Sequence, residues 1–461
     1  MEHIENRTFD EIKVGDSARL VRTLKLEDIQ LFAAMSGDIN PAHLDPEYAK
    51  SSMFQEVIAH GMWGGALIST VLGTQLPGPG TIYIDQTLHF SRPVTIGDTI
   101  TVTVTVTGKF EHHHHVTVEC QCVNQNGLVV ISGTAEVMAP TEKVRRERMA
   151  LPEVRVTDKT SQYRRLIAMA EEPAPIPMAV VHPCDRESLR GAIEAAKAKL
   201  IVPILVGPQA KIHAVARAED IDLSAYKIVD AAHSHAAANL AVAMAREGAV
   251  EALMKGSLHT DELLAEVVAT DTGLRTARRV SHVFIMDVPT YPRMLLITDA
   301  AININPGLEE KVDIVQNAID LAHVLHISEP KVAILSAVEM VTSKLRSTLE
   351  AAALCKMADR GQITGGVLDG PLAFDNAVSI VAAKTKGIKS AVAGRADILL
   401  VPDLEAGNMI AKQLEYLADA QAAGIVLGAS VPIVLTSRAD TVQTRLASCA
   451  VALLLAHHRR K

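Results

Sequence analysis

FAAMSGDINPAHLDPEYA, residues 32–49, places an acid and an imidazole five positions apart on a segment that cannot stay helical. LEDIQLFAAMS, which leads into it, reads as a short helix. Gly37 then supplies a hinge, and Pro41 stops the helix from continuing while pushing Asn40 out of the α region. Asp38 and His43 therefore sit on an irregular loop. A carboxylate and an imidazole on one rigid loop can hold a water between them, one taking its proton while the other donates one. A plainer reading has Asp38 turning the loop and His43 buried and satisfied. An isolated D-x4-H would support only that plainer reading.

Outward from this stretch, RLVRTLKL before it reads as a strand, and HGMWGGALISTVLGTQL after it as a mostly apolar helix. Gly64, Gly65 and Ala66 near the helix start suit close approach of a sheet or a ligand, or simply close packing. From 81 to 138 the pattern changes to β-branched, often alternating segments: TIYIDQTLHFSRPV, DTITVTVTVTG, HHHVTVECQCVNQ and GLVVISGTAEVM. His112 to His115 invite a metal reading. Alternate residues of a strand face opposite ways, however, which leaves at most two on each side, so surface histidines are expected and no metal. Cys120 and Cys122 share a strand face and do not form a CxxC, which makes them ordinary thiols.

The string as a whole resembles the hydratase signature of the MaoC-like (R)-specific enoyl-CoA hydratases, matching as F-A-A-M-S-G-D-I-N-P-A-H, then five residues, then Ala49. The resemblance implies an α+β hotdog fold, a long helix wrapped by an antiparallel sheet. It implies Asp38 and His43 as the acid/base pair that adds water across a trans-2-enoyl thioester. The backbone N–H of Gly61 would receive the thioester oxygen. Ser69, at the spacing of a family serine near the dyad, is implied as a substrate contact.

At 461 residues the chain is too long for one ordinary domain. With 48% hydrophobic and 21% charged residues it has ample material for packed cores. A net charge of −8 offers no basic footprint for nucleic acid. Five scattered cysteines fit a reducing compartment. No apolar run reaches membrane-spanning length and MEHIENRTFDEIKVGD does not read as a signal peptide, so a cytoplasmic protein is expected. Prolines and a charge run at 143–148 mark a boundary. The expected division is 1–144, a linker over 145–160, and a second domain over 161–461.

In that second domain strand-length apolar segments alternate with Ala-rich helical ones: MAVVH, VPILVG, VEALMKG, SHVFIM, RMLLITDA, KVAILSA, ADILLVP, GIVLGA and VPIVLT. This βαβ rhythm predicts an α/β fold with a largely parallel sheet, arranged as two subdomains about a cleft. Neither GxGxxG nor GxxxxGK[ST] is present, so no dinucleotide fold or phosphate loop is supported.

The same half resembles the phosphate acetyl/butyryltransferase family through KGSLHT (255–260), TDAAININP (298–306), LDGPLAFDNA (368–377), VPDLEAGN (401–408) and TSRAD (436–440). That family swaps an acyl group between coenzyme A and inorganic phosphate. The guanidinium of Arg438 suits bidentate contact with phosphate or acyl phosphate, Ser437 suits the thiol or the acyl carbonyl, and Asp440 is the nearest carboxylate. Backbone N–H groups from Asp440 onward would favour an anion; equally, Ser437 and Asp440 would cap the last helix. His259, Asp299, Asn303 and Asp375 are candidate cleft residues, with structural roles as the alternative. The acetyl-specific branch has S-R-G at this turn and an aspartate seven positions after the serine, whereas this chain has Ala439 and Thr444; TSRAD looks more like the butyryl branch.

Two functions follow from these resemblances. In one the chain is a bifunctional enzyme, a hydratase fused to a phosphate acyltransferase, using coenzyme A thioesters and phosphate as substrates with no tightly bound cofactor. In the other the second half is a non-catalytic acyl-CoA-binding module that regulates or oligomerises the hydratase. Acyl-CoA and acyl phosphate are the expected partners, with a homodimer or larger homo-oligomer and no nucleic acid or membrane.

Overall fold

The computed structural model describes residues 3–152, 154, 161–435 and 440–460. The chain divides into two compact units, Met1–Val156 and Thr157–Lys461.

In the first unit an antiparallel sheet runs in the order Ser17–Thr23, Thr99–Phe110, His115–Val123, Val129–Met138, Ile82–Gln86, with His89–Phe90 also paired to Val129–Met138. Alternation in TITVTVTVTG turns Ile100, Val102, Val104 and Val106 inward. These meet Trp63, Ile68, Val71 and Leu72 of the Gly61–Thr74 helix in one apolar core. Helix and sheet come close enough that a Cβ on Gly64 would stand 2.2 Å from Ile131 Cδ1. This is the α+β hotdog arrangement.

Two details depart from expectation. His112–His114 is a tight turn with His113 and His114 at positive φ, and the strand starts only at His115, whose Nδ1 lies 2.6 Å from Glu136 Oε1. Strand alternation therefore does not apply to those histidines. The segment from 145 onward was expected as linker, but Arg145–Glu147 is a strand antiparallel to His3–Glu5. Asn6 secures that pairing, its Oδ1 accepting the Val144 N–H and its Nδ2 donating to Glu142 O.

In the second unit, among the described residues, one eleven-stranded sheet carries the whole α/β layer. Its order is Lys227–Asp230, Ile201–Gly207, Ile176–Val181, Ala252–Lys255, Ile433–Val434, Gln421–Leu427, Ser281–Asp287, Leu295–Thr298, Ile398–Leu400, Lys331–Leu335, Val367–Leu372. Pairing is parallel at both flanks, and antiparallel where Gln421–Leu427 and Ser281–Asp287 meet each other and their outer neighbours. The two halves expected as subdomains thus share one sheet, mostly parallel. Each of the nine apolar segments supplies a strand. The two unexpected strands, Lys227–Asp230 and Val367–Leu372, are the sheet's edges, where exposure on one side removes the continuous apolar run.

Candidate active sites

The Leu26–Ser36 helix ends at Gly37, whose left-handed φ of 75° lets its N–H close onto Ala33 O at 2.8 Å. Asp38 follows, exposed. Its Oδ1 accepts the Asn40 N–H at 3.1 Å, and Asn40 Oδ1 accepts the Ala42 N–H at 3.1 Å. With Pro41 and Pro46 opening the short helices Pro41–Leu44 and Pro46–Ser51, these turns stiffen the loop. Asp38 does turn the loop, and that role orients its carboxylate.

His43 Nδ1 donates to Ile58 O at 2.9 Å. A carbonyl only accepts, so the proton sits on Nδ1 and Nε2 keeps a lone pair. A third group joins this pair: His60, which precedes the helix glycine. Its Nε2 donates to the backbone carbonyl of Asp38 at 3.1 Å, and its ring centroid lies 4.0 Å from that of His43. One carboxylate oxygen of Asp38 and one ring nitrogen of each histidine lie within 4.8 Å of one another. His60 Nδ1 is buried with no hydrogen-bond partner among the described residues.

His43, His60, Gly61, Trp63, Phe90 and Ile131 help line a cavity of about 370 Å³. Its wall is largely apolar, with the two imidazoles, Ser91 and Arg92 among its polar members. Ser69 is not part of that wall: it is exposed on the same helix, eight residues and about 12 Å beyond Gly61.

In the second unit, a cavity of about 410 Å³ is lined by Lys255, His259, His282, Lys412 and Asp440 among others. Lys255 ends its strand and is only 5% exposed. The turn after it packs against neighbouring backbone, with Gly256 N–H on Val181 O at 2.9 Å and Ser257 N–H on His182 O at 2.8 Å. A Cβ on Gly256 would stand 2.4 Å from Val181 O, so only glycine fits. His259 stands at the N-cap position of Thr260–Val267, its backbone N–H donating to Glu262 Oε1 at 3.3 Å, and is exposed, and Asp440 is buried. Burial works against a charge on Lys412. The Glu415 carboxylate at 2.8 Å, with Asp440 and Tyr416, more than offsets this and holds its pKa above the usual lysine value.

His282, near the start of Ser281–Asp287, is 1% exposed. Burial pushes its imidazole down to about 4, with the Asp299 carboxylate opposing. Its Nδ1 has no hydrogen-bond partner among the described residues. The sequence reading did not select His60, Lys255, His282 or Lys412. Lys255 lay inside the quoted KGSLHT, and a lone histidine in the apolar strand SHVFIM was the available signal for His282.

Of the other candidates, Asp299, Asn303 and Asp375 do not line this cavity. Asp299 is buried, its Oδ1 accepting the Ala301 and Ile302 N–H groups and its Oδ2 the Asn303 N–H and side-chain amide. Asn303 also accepts from Arg279 Nε at 2.6 Å, and lines a separate cavity of about 560 Å³ with Arg275, Arg278 and Arg279. Both hold the loop after Leu295–Thr298. Asp375 is exposed and pairs with Lys386 at 3.2 Å. Ser437 and Arg438 lie outside the described residues. The Val442–Arg459 helix is capped by Thr441, which accepts the Thr444 N–H at 3.2 Å, and not by Asp440. Among the described residues no helix is long and apolar enough to cross a membrane.

Comparison with known proteins matches two separate stretches of the chain. Residues 231–453 match the family described as Phosphate acetyl/butaryl transferase, and residues 11–126 match the MaoC like domain. A phosphate acetyltransferase of Rhizobium meliloti is 67% identical over 300 residues, covering 65% of this chain and 95% of that protein. A branched-chain phosphotransacylase from Enterococcus faecalis V583 matches in structure with a TM-score of 0.54 and 28% identity, over 61% of this chain and 99% of that one. The R-hydratase PhaJ1 from Pseudomonas aeruginosa is 45% identical over 34% of this chain and 99% of its own, with a TM-score of 0.33.

Proposed function

The chain belongs to the phosphate acetyl/butaryl transferase family and carries a MaoC like domain ahead of that region, and from this we propose a bifunctional acyl-CoA enzyme. Its first unit hydrates trans-2-enoyl-CoA to (R)-3-hydroxyacyl-CoA, and its second exchanges an acyl group between coenzyme A and inorganic phosphate.

The observation that carries the hydratase reading is the Asp38–His43 pair beside the start of the Gly61–Thr74 helix. In this reading the pair holds a water, and one member takes a proton from it as its oxygen bonds to C3. The other member delivers a proton to C2, so the pair's protonation is unchanged overall. The charge that builds on the thioester oxygen is met by the Gly61 N–H. Ser69, exposed and off the cavity wall, has no assigned part.

For the second unit the support is a cavity lined by Lys255, His282, Lys412 and Asp440, the last of which closes the TSRAD motif in sequence, two positions after Arg438. A phosphate oxygen attacks the thioester carbonyl, the C–S bond breaks, and coenzyme A leaves as its thiolate. Lys255, Lys412 and Arg438 hold the phosphate charge, and Ser437 contacts the acyl carbonyl. Asp440 is the nearest carboxylate to hold the thiol proton in the reverse direction. His259 contributes to the entrance. No tightly bound cofactor is needed by either reaction.

Thr444, where the acetyl-specific branch has an aspartate, favours the second reading, a non-catalytic acyl-CoA-binding module. The deciding experiment is to assay the purified chain for both half-reactions with acetyl-, propionyl- and butyryl-CoA and with short enoyl-CoAs. Acyl phosphate formed from any of them supports the transferase; none from all three supports the binding module. The exposed apolar side chains Met35, Ile39 and Met53 near the dyad suit contact with a second copy, and light scattering tests the proposed homo-oligomer. The five free cysteines accord with a cytoplasmic protein.

A further inference from the structure

The three groups around the hydratase loop have an arrangement that hydration alone does not require. His43 gives its Nδ1 proton to Ile58 O and His60 gives its Nε2 proton to Asp38 O, which leaves lone pairs on His43 Nε2 and His60 Nδ1. Metal-binding histidines are commonly fixed in this way, with the non-ligating N–H held by a backbone carbonyl that sets the tautomer. The third donor is the Asp38 carboxylate, oriented by the Asn40 N–H on Oδ1.

Two imidazoles and a carboxylate are a donor set for first-row divalent ions of the zinc type. One carboxylate oxygen of Asp38 and one ring nitrogen of each histidine are already within 4.8 Å of one another. A tetrahedral ion with bonds of about 2.0–2.1 Å needs them roughly 3.3 Å apart, a shift within reach of small side-chain rotations.

His60 supplies the independent sign. It is 3% exposed, and its Nδ1 has no partner. It occupies the N-cap position of Gly61–Thr74 without capping it. His233, in the same position before Ser234–Arg246, accepts the Ala236 N–H on its Nδ1 at 3.2 Å. A buried lone pair with no donor is costly unless something fills it.

We propose that Asp38, His43 and His60 bind a divalent transition-metal ion of the zinc class, and that the ion takes the place of the dyad's water and inhibits hydration. Only the inhibition rests on the hydratase reading; the binding stands on the geometry. The Asp38 carboxylate and His43 lone pair cannot serve both a metal and a proton relay, so metal and turnover exclude each other.

The test titrates the full chain with Co2+, whose visible d–d bands report nitrogen and oxygen ligation, and with Zn2+ while following hydration of a short enoyl-CoA. The expected result is a banded Co2+ complex, displaced by Zn2+, and a hydration rate that falls on Zn2+ addition and returns with a chelator. Asp38→Asn and His60→Ala should each weaken Co2+ binding by about 100-fold or more, since even outer partners of a metal site are worth about 10–100-fold. Asp38 is exposed, so its variant carries the test should His60→Ala fail to fold. His112→Ala, on the histidine turn, should leave the bands unchanged. Absence of bands in the parent overturns the site. So does a spectrum kept in both Asp38→Asn and His60→Ala, or lost in His112→Ala. Bands without loss of hydration overturn the inhibition. A parent with no hydratase activity refutes the hydratase reading, and the Co2+ spectrum still decides the metal.

Discussion

His60 donates from Nε2 to the backbone carbonyl of Asp38 at 3.1 Å, across 22 residues of chain. This single bond ties the loop bearing the acid to the residue that begins the Gly61–Thr74 helix. The carboxylate and the helix N–H groups are thereby held by one side chain, and small errors in such placement are costly to catalysis.

Asp38→Asn keeps the side chain's size and its bond to the Asn40 N–H while removing its acid/base function. Hydration of crotonyl-CoA should fall by about 10²–10⁴-fold with the fold intact by circular dichroism. A rate equal to the parent's refutes the role.

Arg438→Lys keeps a positive charge and loses the guanidinium fork. Acyl-phosphate formation should lose phosphate affinity much more than acyl-CoA affinity. The contact is worth about 1.5–3 kcal/mol, which raises the apparent KM for phosphate tenfold or more. Unchanged phosphate dependence in an active variant removes Arg438 from the site.

Gly256→Ala forces a Cβ to within 2.4 Å of Val181 O and 2.7 Å of His182 O. Both are backbone atoms of the packed sheet end, so neither yields by a rotamer change. We expect a loss of about 1–3 kcal/mol in urea unfolding of the second unit, together with a lower acyl-transfer rate as Lys255 shifts. Wild-type stability in the variant contradicts the packing described.

Acid should destabilise the second unit through His282. Its folded pKa is about 4 against an ordinary 6.5, so below 6.5 the unfolded chain takes up a proton that the folded chain refuses. The stability present above 6.5 is lost progressively as the pH falls toward 4, at about 1.4 kcal/mol per unit of separation. His282→Gln should therefore lose less stability than the parent between neutral pH and the middle of that window. Equal losses in both proteins rule His282 out as the cause.

The two units should fold separately. Residues 1–152 retain Arg145–Glu147 for His3–Glu5 and should give a soluble protein with a cooperative unfolding transition, as should residues 157–461. Cutting at 144 removes that strand and should lower the first unit's melting temperature. A second fragment soluble only in the presence of the first contradicts independent folding.

Local features were legible in the residues alone. The helix break at Gly37 and Pro41, the alternating strands after residue 81, and nine apolar strand segments all depend on neighbours within one element, where periodicity speaks. The Asp38–His43 loop was readable for the same reason, since five positions of chain with a proline leave few conformations. Tertiary structure decided what distant segments do to each other. It paired Arg145–Glu147 with His3–Glu5 in a two-stranded sheet of their own and ran one sheet through both halves of the second unit. It showed Asp299 and Asn303 bonded to their own loop, and brought Lys255, His282, Lys412 and Asp440 to one cavity from four separate segments. Those outcomes rest on pairing register and side-chain packing between residues far apart in sequence. No local pattern encodes which lone histidine in an apolar strand will line a cavity and which lysine will be buried beside it.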